Sequence, residues 1–371
     1  MVVNTQGSNP FQRIFPHCSI YKVCFLVFFG LLLLLLFFNY ELETSDISEI
    51  GMEMEAGFGP VKYKYNQMSP LIFIGGYPRS GTTLMRAMLD AHPDIRCGPE
   101  TRVIPRLLQF REIFLRKEEL ALMKEAGITL EILNRATATF LLDIMVHHGE
   151  PAPRLCDKDP FIINYAKYLC RIFPRAKMIF MVRDGRASTY SAIKRNVTVS
   201  GLDFHNLRAS LEEWNRAVGH MYNQCQSIGP SRCMMVHYEQ LVLHPAHWMK
   251  EVLEFLEVPW NEKVLHHESQ INKSGGISLS RLEKSSDQII KPINTEPLDK
   301  WVGFYPQDVV DDMDKIAPML FKLGYDPKAN PPNYGVPDGF VLHNTKLVLQ
   351  QITFWKQKAK QLHIKTAMAH E

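Results

Sequence analysis

A glycine-rich stretch at residues 74–89, IGGYPRSGTTLMRAML, has the residue types of an anion-binding loop. Gly76 and Gly81 are separated by four residues, which is the glycine spacing of a phosphate-binding loop. A strand that turns through such glycines into a helix presents several backbone N–H groups to one anion, and the helix dipole adds to the attraction. Thr82 stands where a P-loop nucleotide triphosphatase has its lysine, so Arg79 is the cation of this loop.

The composition of the loop favours a short anion that is bound without a metal. Ser80, Thr82 and Thr83 can donate hydroxyl hydrogen bonds beside Arg79. A loop that holds a triphosphate works with magnesium, and we recognise no apolar strand ending in an aspartate suited to that metal. A glycine turn that binds nothing is the alternative interpretation. The glycine spacing alone leaves both open, whereas the full run PRSGTT favours a binding loop.

A second candidate phosphate site follows an apolar strand predicted at 176–182. Arg183 comes directly after this strand, and Ser191 and Arg195, four residues apart, share one face of the next predicted helix. Arginine suits phosphate because its planar fork can grip two oxygens at once. A local ion pair between Arg183 and Asp184 that caps the helix is the alternative.

The elements that must position these residues alternate along the chain. Short apolar strands are predicted at 71–76, 152–160, 176–186 and 233–241, and helices at 83–91, 116–148, 186–195 and 204–226. This alternation predicts an α/β fold whose central parallel sheet is flanked by helices, with ligands at the carboxyl ends of the strands. Residues 270–300 are predicted as an extended loop and 325–340 as a covering loop.

The N-terminal part has the pattern of a membrane anchor. Residues 23–38 contain no polar side chain, basic residues precede them and acidic residues follow. Because basic flanks stay cytoplasmic, we predict a cytoplasmic tail at 1–22, a transmembrane signal-anchor helix at 23–38 and an acidic lumenal stem at 39–68. A cleaved signal peptide is less favoured, because no small-x-small cleavage site follows the run. The short run suits a thin membrane of the early secretory pathway.

Charge and cysteine content narrow the class of protein further. The chain of 371 residues has a net charge of +3 and a pI of about 8.4, which is too mild to indicate nucleic-acid binding. No C-x-x-C pair occurs among its seven cysteines, which argues against zinc. In an oxidising compartment the five cysteines beyond the anchor allow two disulfides and leave one thiol, for which Cys170 is our candidate. Asn196 and Asn272 head N-glycosylation sequons, and we expect Asn196, next to Arg195, to be unmodified.

Several motifs in order resemble one family. PRSGTTLMRAMLDAHP resembles the 5′-phosphosulfate loop of sulfotransferases, and MVRDGRASTYSAIKR (181–195) resembles their 3′-phosphate motif. IRCGPETRVIPR (95–106), KDPF (158–161), SSDQIIKPIN (285–294) and KWVG (300–303) are similar to tyrosylprotein sulfotransferases in particular. The resemblance implies a P-loop-like sulfotransferase fold at 69–340, with a C-terminal tail at 341–371 outside it. It also implies a donor, 3′-phosphoadenosine 5′-phosphosulfate, no metal, and a peptide tyrosine as acceptor.

The resemblance carries the donor site over to specific positions of this sequence. The loop would hold the phosphosulfate, Arg183, Ser191 and Arg195 the 3′-phosphate, and a later segment would fold over the nucleotide. Tyr238, taken alone, would more often be a core tyrosine. The implied donor-binding residues are Arg79, Ser80, Gly81, Thr82, Thr83, Arg183, Ser191, Arg195, Tyr238, Ser285, Ser286, Asp287, Gln288, Ile289, Ile290, Lys291, Pro292, Ile293, Asn294 and Lys300.

The resemblance also implies the catalytic residues. Glu100 would be the general base for the tyrosine hydroxyl, whose ordinary pKa is about 10. Arg79, Lys158 and Ser285 would stabilise the charge that grows on the departing oxygen. Without the resemblance, Glu100 would be interpreted as a solvated surface carboxylate and Lys158 as a surface ion-pair partner. The sequence has Pro99 where the family often has a second acidic residue.

The acceptor segment, the disulfides and the cellular setting complete these expectations. Arg102, Val103, Ile104, Pro105 and Arg106 would lie along the acidic flanks of the tyrosine, and Pro105 predicts an extended or turning segment there. The resemblance implies disulfides Cys97–Cys156 and Cys225–Cys233, a homodimer, and a single-pass type II protein of the Golgi membrane. A carbohydrate sulfotransferase, a kinase and a non-enzymatic membrane-tethered nucleotide-binding protein are the alternatives.

Overall fold

A computed structural model describes residues 53–58, 61–273, 275–280 and 282–367 of the chain. The predicted cytoplasmic tail, the predicted anchor at 23–38 and Cys18 and Cys24 lie outside these residues. Among the helices that are described, none is both long and apolar enough to cross a membrane.

Seven strands form two sheets within the described residues. The large sheet has five parallel strands in the order β4-β5-β3-β6-β7, and the small one is an antiparallel hairpin of β1 and β2. The fold class predicted from the alternating pattern, a parallel sheet flanked by helices, is confirmed. The strands are β1 Met54–Phe58, β2 Val61–Tyr65, β3 Ile72–Gly76, β4 Ile95–Arg96, β5 Arg154–Lys158, β6 Lys177–Val182 and β7 Cys233–His237.

The α-helices lie between and after these strands. Short 3-10 turns occur at Pro160–Tyr165, Glu262–Leu265 and His267–Ser269. The helices are α1 Thr82–Asp90, α2 Val103–Phe114, α3 Lys117–Glu125, α4 Leu130–His147, α5 Ala166–Ile172, α6 Gly185–Lys194, α7 Leu207–Ile228, α8 Tyr238–Leu243, α9 Pro245–Phe255, α10 Ser286–Ile289, α11 Gln307–Asp311, α12 Met313–Ile316, α13 Met319–Lys322, α14 Gly339–Gln350 and α15 Ile352–Ala367.

The central strand β3 brings the carboxyl ends of its neighbours together. All five of its residues are buried, as expected for a strand that is covered on both faces. Ile74 pairs in register with Lys158 of β5, and Gly76 pairs with Met181 of β6. The residues that follow these strands therefore meet at one edge of the sheet, where ligands bind in such folds.

The helical region between β4 and β5 differs from its prediction. The helix predicted at 116–148 is two helices, because the chain turns at Gly127, whose φ of 78° suits glycine, and Thr129 then caps α4. The expectation of an extended segment around Pro105 was wrong, since α2 begins at Val103. Pro105 lies in the first turn of α2, where a backbone N–H has no intrahelical partner to lose.

Part of the segment predicted as a stem belongs to the folded domain. Strands β1 and β2 lie within it and pair along their whole length. The hydroxyl of Tyr65 is buried, donates to the carbonyl of Ala152 at 2.8 Å and accepts from its N–H at 3.2 Å. The hairpin was not predicted because its two strands are short and polar and show little apolar periodicity. The contact that anchors it joins residues 87 apart in sequence.

The C-terminal helices also pack on the domain. The predicted boundary at 340 falls inside α14, where Val341 and Val348 are buried. Helix α15 contacts α10.

The covering loop predicted at 325–340 lies over α6, where Arg186 donates to the carbonyls of Asp326 and Ala329 at 3.1 and 2.9 Å.

Both expected disulfides, Cys97–Cys156 and Cys225–Cys233, are present. Cys170 is the cysteine of the described residues that has no disulfide partner, as predicted.

Candidate active site

The glycine-rich loop joins β3 to α1 in a close-packed turn. Gly76 has a φ of 155°, and a Cβ there would lie 2.3 Å from the carbonyl oxygen of Met181. Gly81 has a φ of 98°, and its Cβ would meet the ring of Tyr238 at 2.3 Å. Both positions therefore require glycine, and the loop packs against the ring of Tyr238 at Gly81.

The loop has unpaired hydrogen-bond donors at the start of α1. Within the described part of the chain, the backbone N–H groups of Gly81, Thr82 and Thr83 donate to no protein acceptor. The Ser80 hydroxyl is buried and is likewise without a protein partner there. Unpaired donors at a helix N-terminus form an anion-binding site, so this loop fits a phosphate-like group.

Arg79 extends from the loop across the site. Its guanidinium donates to Ser191 at 3.0 Å, to Gln288 at 2.5 Å and to the hydroxyl of Ser285. Burial, together with the nearby cations Arg195 and Arg183, lowers the pKa of Arg79 to about 10. Arg79 thus joins the loop to α6 and to the segment around α10.

Arg183 is directed toward the loop. It donates to the carbonyls of Arg79 and Pro297 at 2.9 and 2.8 Å, and its guanidinium lies 4.5 Å from the centre of the Tyr238 ring. Its Nε is buried and has no partner among the described residues. Asp184 pairs instead with Arg186 at 2.8 Å, so the alternative of an Arg183–Asp184 ion pair was wrong.

The segment at 285–294 faces the glycine-rich loop across a cavity. Asp287 accepts from both terminal nitrogens of Arg195, at 2.9 to 3.1 Å. Lys291 and Lys300 both pair with Glu296, at 3.2 and 2.6 Å. Ser286, Ile289, Ile290, Ile293 and Asn294 are buried. A cavity lies between this segment and the loop, lined among others by Arg79, Gly81, Thr82, Thr83, Arg183, Tyr238, Ser285, Gln288, Lys291, Pro292, Ile293 and Asn294.

His267 also lines this cavity and was missed by sequence reasoning. Its Nε2 lies 3.0 Å from the carbonyl oxygen of Ile289, and burial lowers its pKa to about 4. The imidazole is therefore neutral at physiological pH. His267 follows His266 in a polar stretch, and such a stretch has no pattern that would have indicated this position.

Lys158 forms the centre of the second half of the site. It ends β5, is fully buried, and its Nζ lies 2.6 Å from Oε1 of Glu100 and 3.1 Å from Oε2 of Glu283. The alternative that Lys158 is a surface residue was wrong. Glu100, with 24% of its side chain exposed, is paired and partly open to solvent.

Glu283 was missed by sequence reasoning. Its Oε1 accepts from the backbone N–H of Glu100 at 2.8 Å, and its Oε2 accepts from Lys158. Although burial raises the pKa of Glu283, Lys158 and Arg86 hold it below its ordinary value, so it is ionised. A glutamate in a polar loop carries no periodic signal, although its place two residues before Ser285 was a hint.

Two further carboxyl groups lie beside Lys158. Burial, together with Asp159, raises the pKa of Asp157 to about 7. Burial, together with Glu100, raises the pKa of Asp159 to about 6. Thr101 donates to Asp157 at 3.3 Å, which links the residue after Glu100 to β5. The part of the chain that is described contains no group of three or more His, Cys, Asp or Glu residues placed to hold a metal ion.

The predicted acceptor segment lies at the start of α2. Arg102 immediately precedes the helix and Arg106 is one turn further on, and both are exposed. Val103 is exposed and Pro105 is half-buried. Ile104 is fully buried, so its side chain anchors this segment in the core. The two arginines therefore face solvent beside the loop that carries Glu100.

The parallel sheet and the glycine-rich loop after β3 are the features expected of a sulfotransferase, and comparison with known proteins supports the same class. The profile of the sulfotransferase family matches residues 70–262, about half of the chain. "Protein-tyrosine sulfotransferase" of Drosophila melanogaster is 52% identical over 356 residues, covering 92% of this chain and 71% of that protein. "Protein-tyrosine sulfotransferase 1" of Homo sapiens is 60% identical over 308 residues, covering 82% of each. The Danio rerio protein of the same name is 59% identical over 283 residues, covering 76% of this chain and 79% of that one.

The chain belongs to the protein-tyrosine sulfotransferase family, as the motifs predicted, and is an enzyme of the transferase class.

Proposed function

We propose that this enzyme transfers a sulfonyl group from 3′-phosphoadenosine 5′-phosphosulfate to the hydroxyl of tyrosine in acidic peptide segments. The products are tyrosine O-sulfate and adenosine 3′,5′-bisphosphate. The observation that carries the proposal is the pairing of buried Lys158 with Glu100 at 2.6 Å, on the strand next to the one that ends in the phosphate-type loop. The similarity to protein-tyrosine sulfotransferases over most of the chain supports it.

The donor fits the residues of the first half of the site. The N–H groups of Gly81, Thr82 and Thr83 would hold the phosphosulfate, and Arg79 would neutralise it. The unpaired Nε of Arg183, with Ser191 and Arg195, would receive the 3′-phosphate. Bound there, the donor supplies an activated sulfonyl group attached to a phosphate leaving group.

The second half of the site would handle protons and charge. Glu100, which is partly open to solvent, would accept the phenolic proton as the tyrosine oxygen attacks sulfur in line. Lys158, Arg79 and Ser285 would stabilise the negative charge that grows on the departing oxygen. Because that charge is larger in the transition state than in the ground state, these contacts lower the barrier.

The proposed setting is the lumen of the Golgi apparatus, with the chain anchored as a single-pass type II membrane protein. Two disulfides suit an oxidising compartment, and the apolar run at 23–38 would be the anchor. The substrates would be secretory and membrane proteins. We also propose a homodimer, which exposed apolar side chains on α2 and α3 support, among them Phe110 and Leu122 at 53% and 61% exposure.

One experiment separates this function from its alternatives. Radiolabelled sulfate from the donor is offered to a tyrosine peptide, to the same peptide with phenylalanine, and to a glycan acceptor, alongside a donor-binding assay. We expect label on the tyrosine peptide alone. Label on the glycan would support a carbohydrate sulfotransferase, and donor binding without any transfer would support a non-enzymatic nucleotide-binding protein.

The metal requirement is tested in the same assay. Because Arg79 and Lys158 supply the positive charge, transfer should survive excess EDTA. Loss of transfer that magnesium restores would contradict the proposal and support a kinase-like site.

A further inference from the structure

Glu283 links the two halves of the site. Its two carboxylate oxygens accept separate hydrogen bonds, from the N–H of Glu100 at 2.8 Å and from Lys158 at 3.1 Å. It also lies two residues before Ser285, whose hydroxyl accepts from Arg79. One side chain thus connects the loop of the candidate base, the buried ammonium group and the segment that closes over the donor.

The ionic environment of Lys158 explains why a second carboxylate is needed there. The side chain of Lys158 is fully buried, and Glu100 is its nearest partner, at 2.6 Å. When Glu100 accepts a proton it becomes neutral, and the buried ammonium group would be left without that partner. An uncompensated buried charge is strongly unfavourable. Glu283, 11% exposed, remains to balance it.

We propose that Glu283 is a positioning residue of the reaction, an inference that rests on the proposed function. It holds Lys158 in place while Glu100 leaves the ion pair to take the phenolic proton. It also fixes the backbone of Glu100, through the hydrogen bond from the Glu100 N–H. Asp157 from β5, Asp159 directly after β5, Arg86 from α1 and Arg102 beside α2 surround the same cluster. Of these carboxylates, Glu283 is the one that contacts both Lys158 and the Glu100 backbone.

Glu283→Gln tests the charge, because the amide oxygen can still accept from Glu100 while the opposite Nε2 cannot accept from Lys158. We expect kcat to fall about 10- to 100-fold, as for loss of one partner of a buried ion pair. The donor KM and the affinity for adenosine 3′,5′-bisphosphate should stay within about twofold, because no donor contact is lost. Glu283→Asp should restore part of kcat, since it restores the charge.

A double-mutant cycle with Lys158→Met separates positioning from general structural damage. If Glu283 acts through Lys158, Glu283→Gln should lower kcat by less than about threefold in the Lys158→Met background. Glu257→Gln is the matched control, because Glu257 pairs with Lys177 at the opposite end of the sheet at 2.6 Å. This control should keep normal kcat.

The outcomes distinguish the inference from the function on which it rests. A wild-type enzyme that transfers sulfonyl groups to tyrosine, with Glu283→Gln equally active, would overturn the inference alone. An equal loss of kcat in both backgrounds, without rescue by aspartate, would also overturn it. A wild-type enzyme that sulfates no tyrosine peptide would overturn both.

Discussion

The donor half and the acceptor half of the site are built in different ways. The donor half rests on residues that immediately follow the buried strands β3 and β6, so local sequence determines where they lie. The acceptor half rests on a loop after β4, a strand of only two residues. That loop depends on distant partners, through the Cys97–Cys156 disulfide and the Lys158–Glu100 ion pair. Local strand-loop geometry therefore places the glycine-rich loop and Arg183, whereas placing the candidate base needs long-range contacts.

This difference predicts that changes in the two halves have separable effects. A change on the acceptor side should alter turnover and leave donor affinity intact. A change on the donor side should alter nucleotide affinity first. The following predictions run from the largest expected effect to the smallest.

Glu100→Gln should have the largest effect. Loss of general-base catalysis should lower transfer by roughly 100- to 10,000-fold, because the amide cannot accept the phenolic proton. The affinity for adenosine 3′,5′-bisphosphate should be unchanged, since Glu100 contacts Lys158 rather than the donor loop. Single-turnover transfer measured beside calorimetric nucleotide binding checks both. Near-normal transfer would remove Glu100 from the mechanism.

Arg183→Ala should act on the other half. Losing charge-assisted hydrogen bonds to a phosphate should weaken binding of adenosine 3′,5′-bisphosphate by about 10- to 100-fold. Binding of 5′-AMP, which lacks the 3′-phosphate, should change little. Titration of both nucleotides against the variant makes the comparison. Equal weakening of both would mean that Arg183 supports the loop through the carbonyl of Arg79 rather than the 3′-phosphate.

The contrast between the halves also explains what the sequence could predict. Gly76, Gly81, Arg79 and Arg183 lie in or beside strand-loop-helix units, whose local pattern predicted both the fold and the anion-binding loop. The pairing of Glu100 with Lys158 joins residues 58 apart in sequence, and no periodicity encodes it. Family resemblance was needed to assign these two residues.

Two of the features that the sequence did not predict, Glu283 and the β1–β2 hairpin, also depend on contacts between residues far apart in the chain. Glu283 meets Lys158 across 125 residues, and the β1–β2 hairpin is held by a contact of Tyr65 that spans 87 residues. The error at Pro105 was different in kind. Proline was interpreted as a helix breaker, although in the first turn of α2 it breaks no backbone hydrogen bond.

The acceptor half should also make stability depend on pH. Asp157 has a folded-state pKa of about 7, raised by burial and then by Asp159, against an ordinary value of 3.8. Between these values the folded protein holds a proton that the unfolded chain has released. The free energy of unfolding therefore falls as pH rises through this window. Asp157→Asn should remove this share of the slope, about 1–4 kcal/mol between pH 4 and pH 7.

Urea unfolding at pH 5 and pH 7.5 measures this slope. Asp159 and Glu239, whose pKa values are raised mainly by burial to about 6 and about 7, contribute in the same direction. The variant should therefore keep part of the slope. An unchanged slope in Asp157→Asn would show that Asp157 is ionised in the folded protein.

The smallest expected effect concerns recognition of the acceptor. Arg102 and Arg106 are exposed, one helical turn apart at the start of α2, and follow the Glu100 loop directly. A peptide whose tyrosine reaches Glu100 could place acidic flanking residues against this turn. Exposed ion pairs contribute only about 0–1 kcal/mol each, so the two arginines together should give a preference of a few-fold to about 30-fold. Two peptides that differ only in Asp/Glu or Ser/Asn flanks measure it as a ratio of kcat/KM.

The salt dependence of the preference and a double variant test whether Arg102 and Arg106 cause it. Rising ionic strength should reduce the advantage of the acidic peptide, because exposed charges are screened. Arg102→Ala with Arg106→Ala should remove much of the preference and leave nucleotide affinity unchanged. Arg116→Ala with Arg135→Ala is the matched control, since both arginines are exposed on the same helical region. If the Arg102/Arg106 variant kept the full preference, acidic flanks would be recognised elsewhere, and the acceptor half would extend beyond the start of α2.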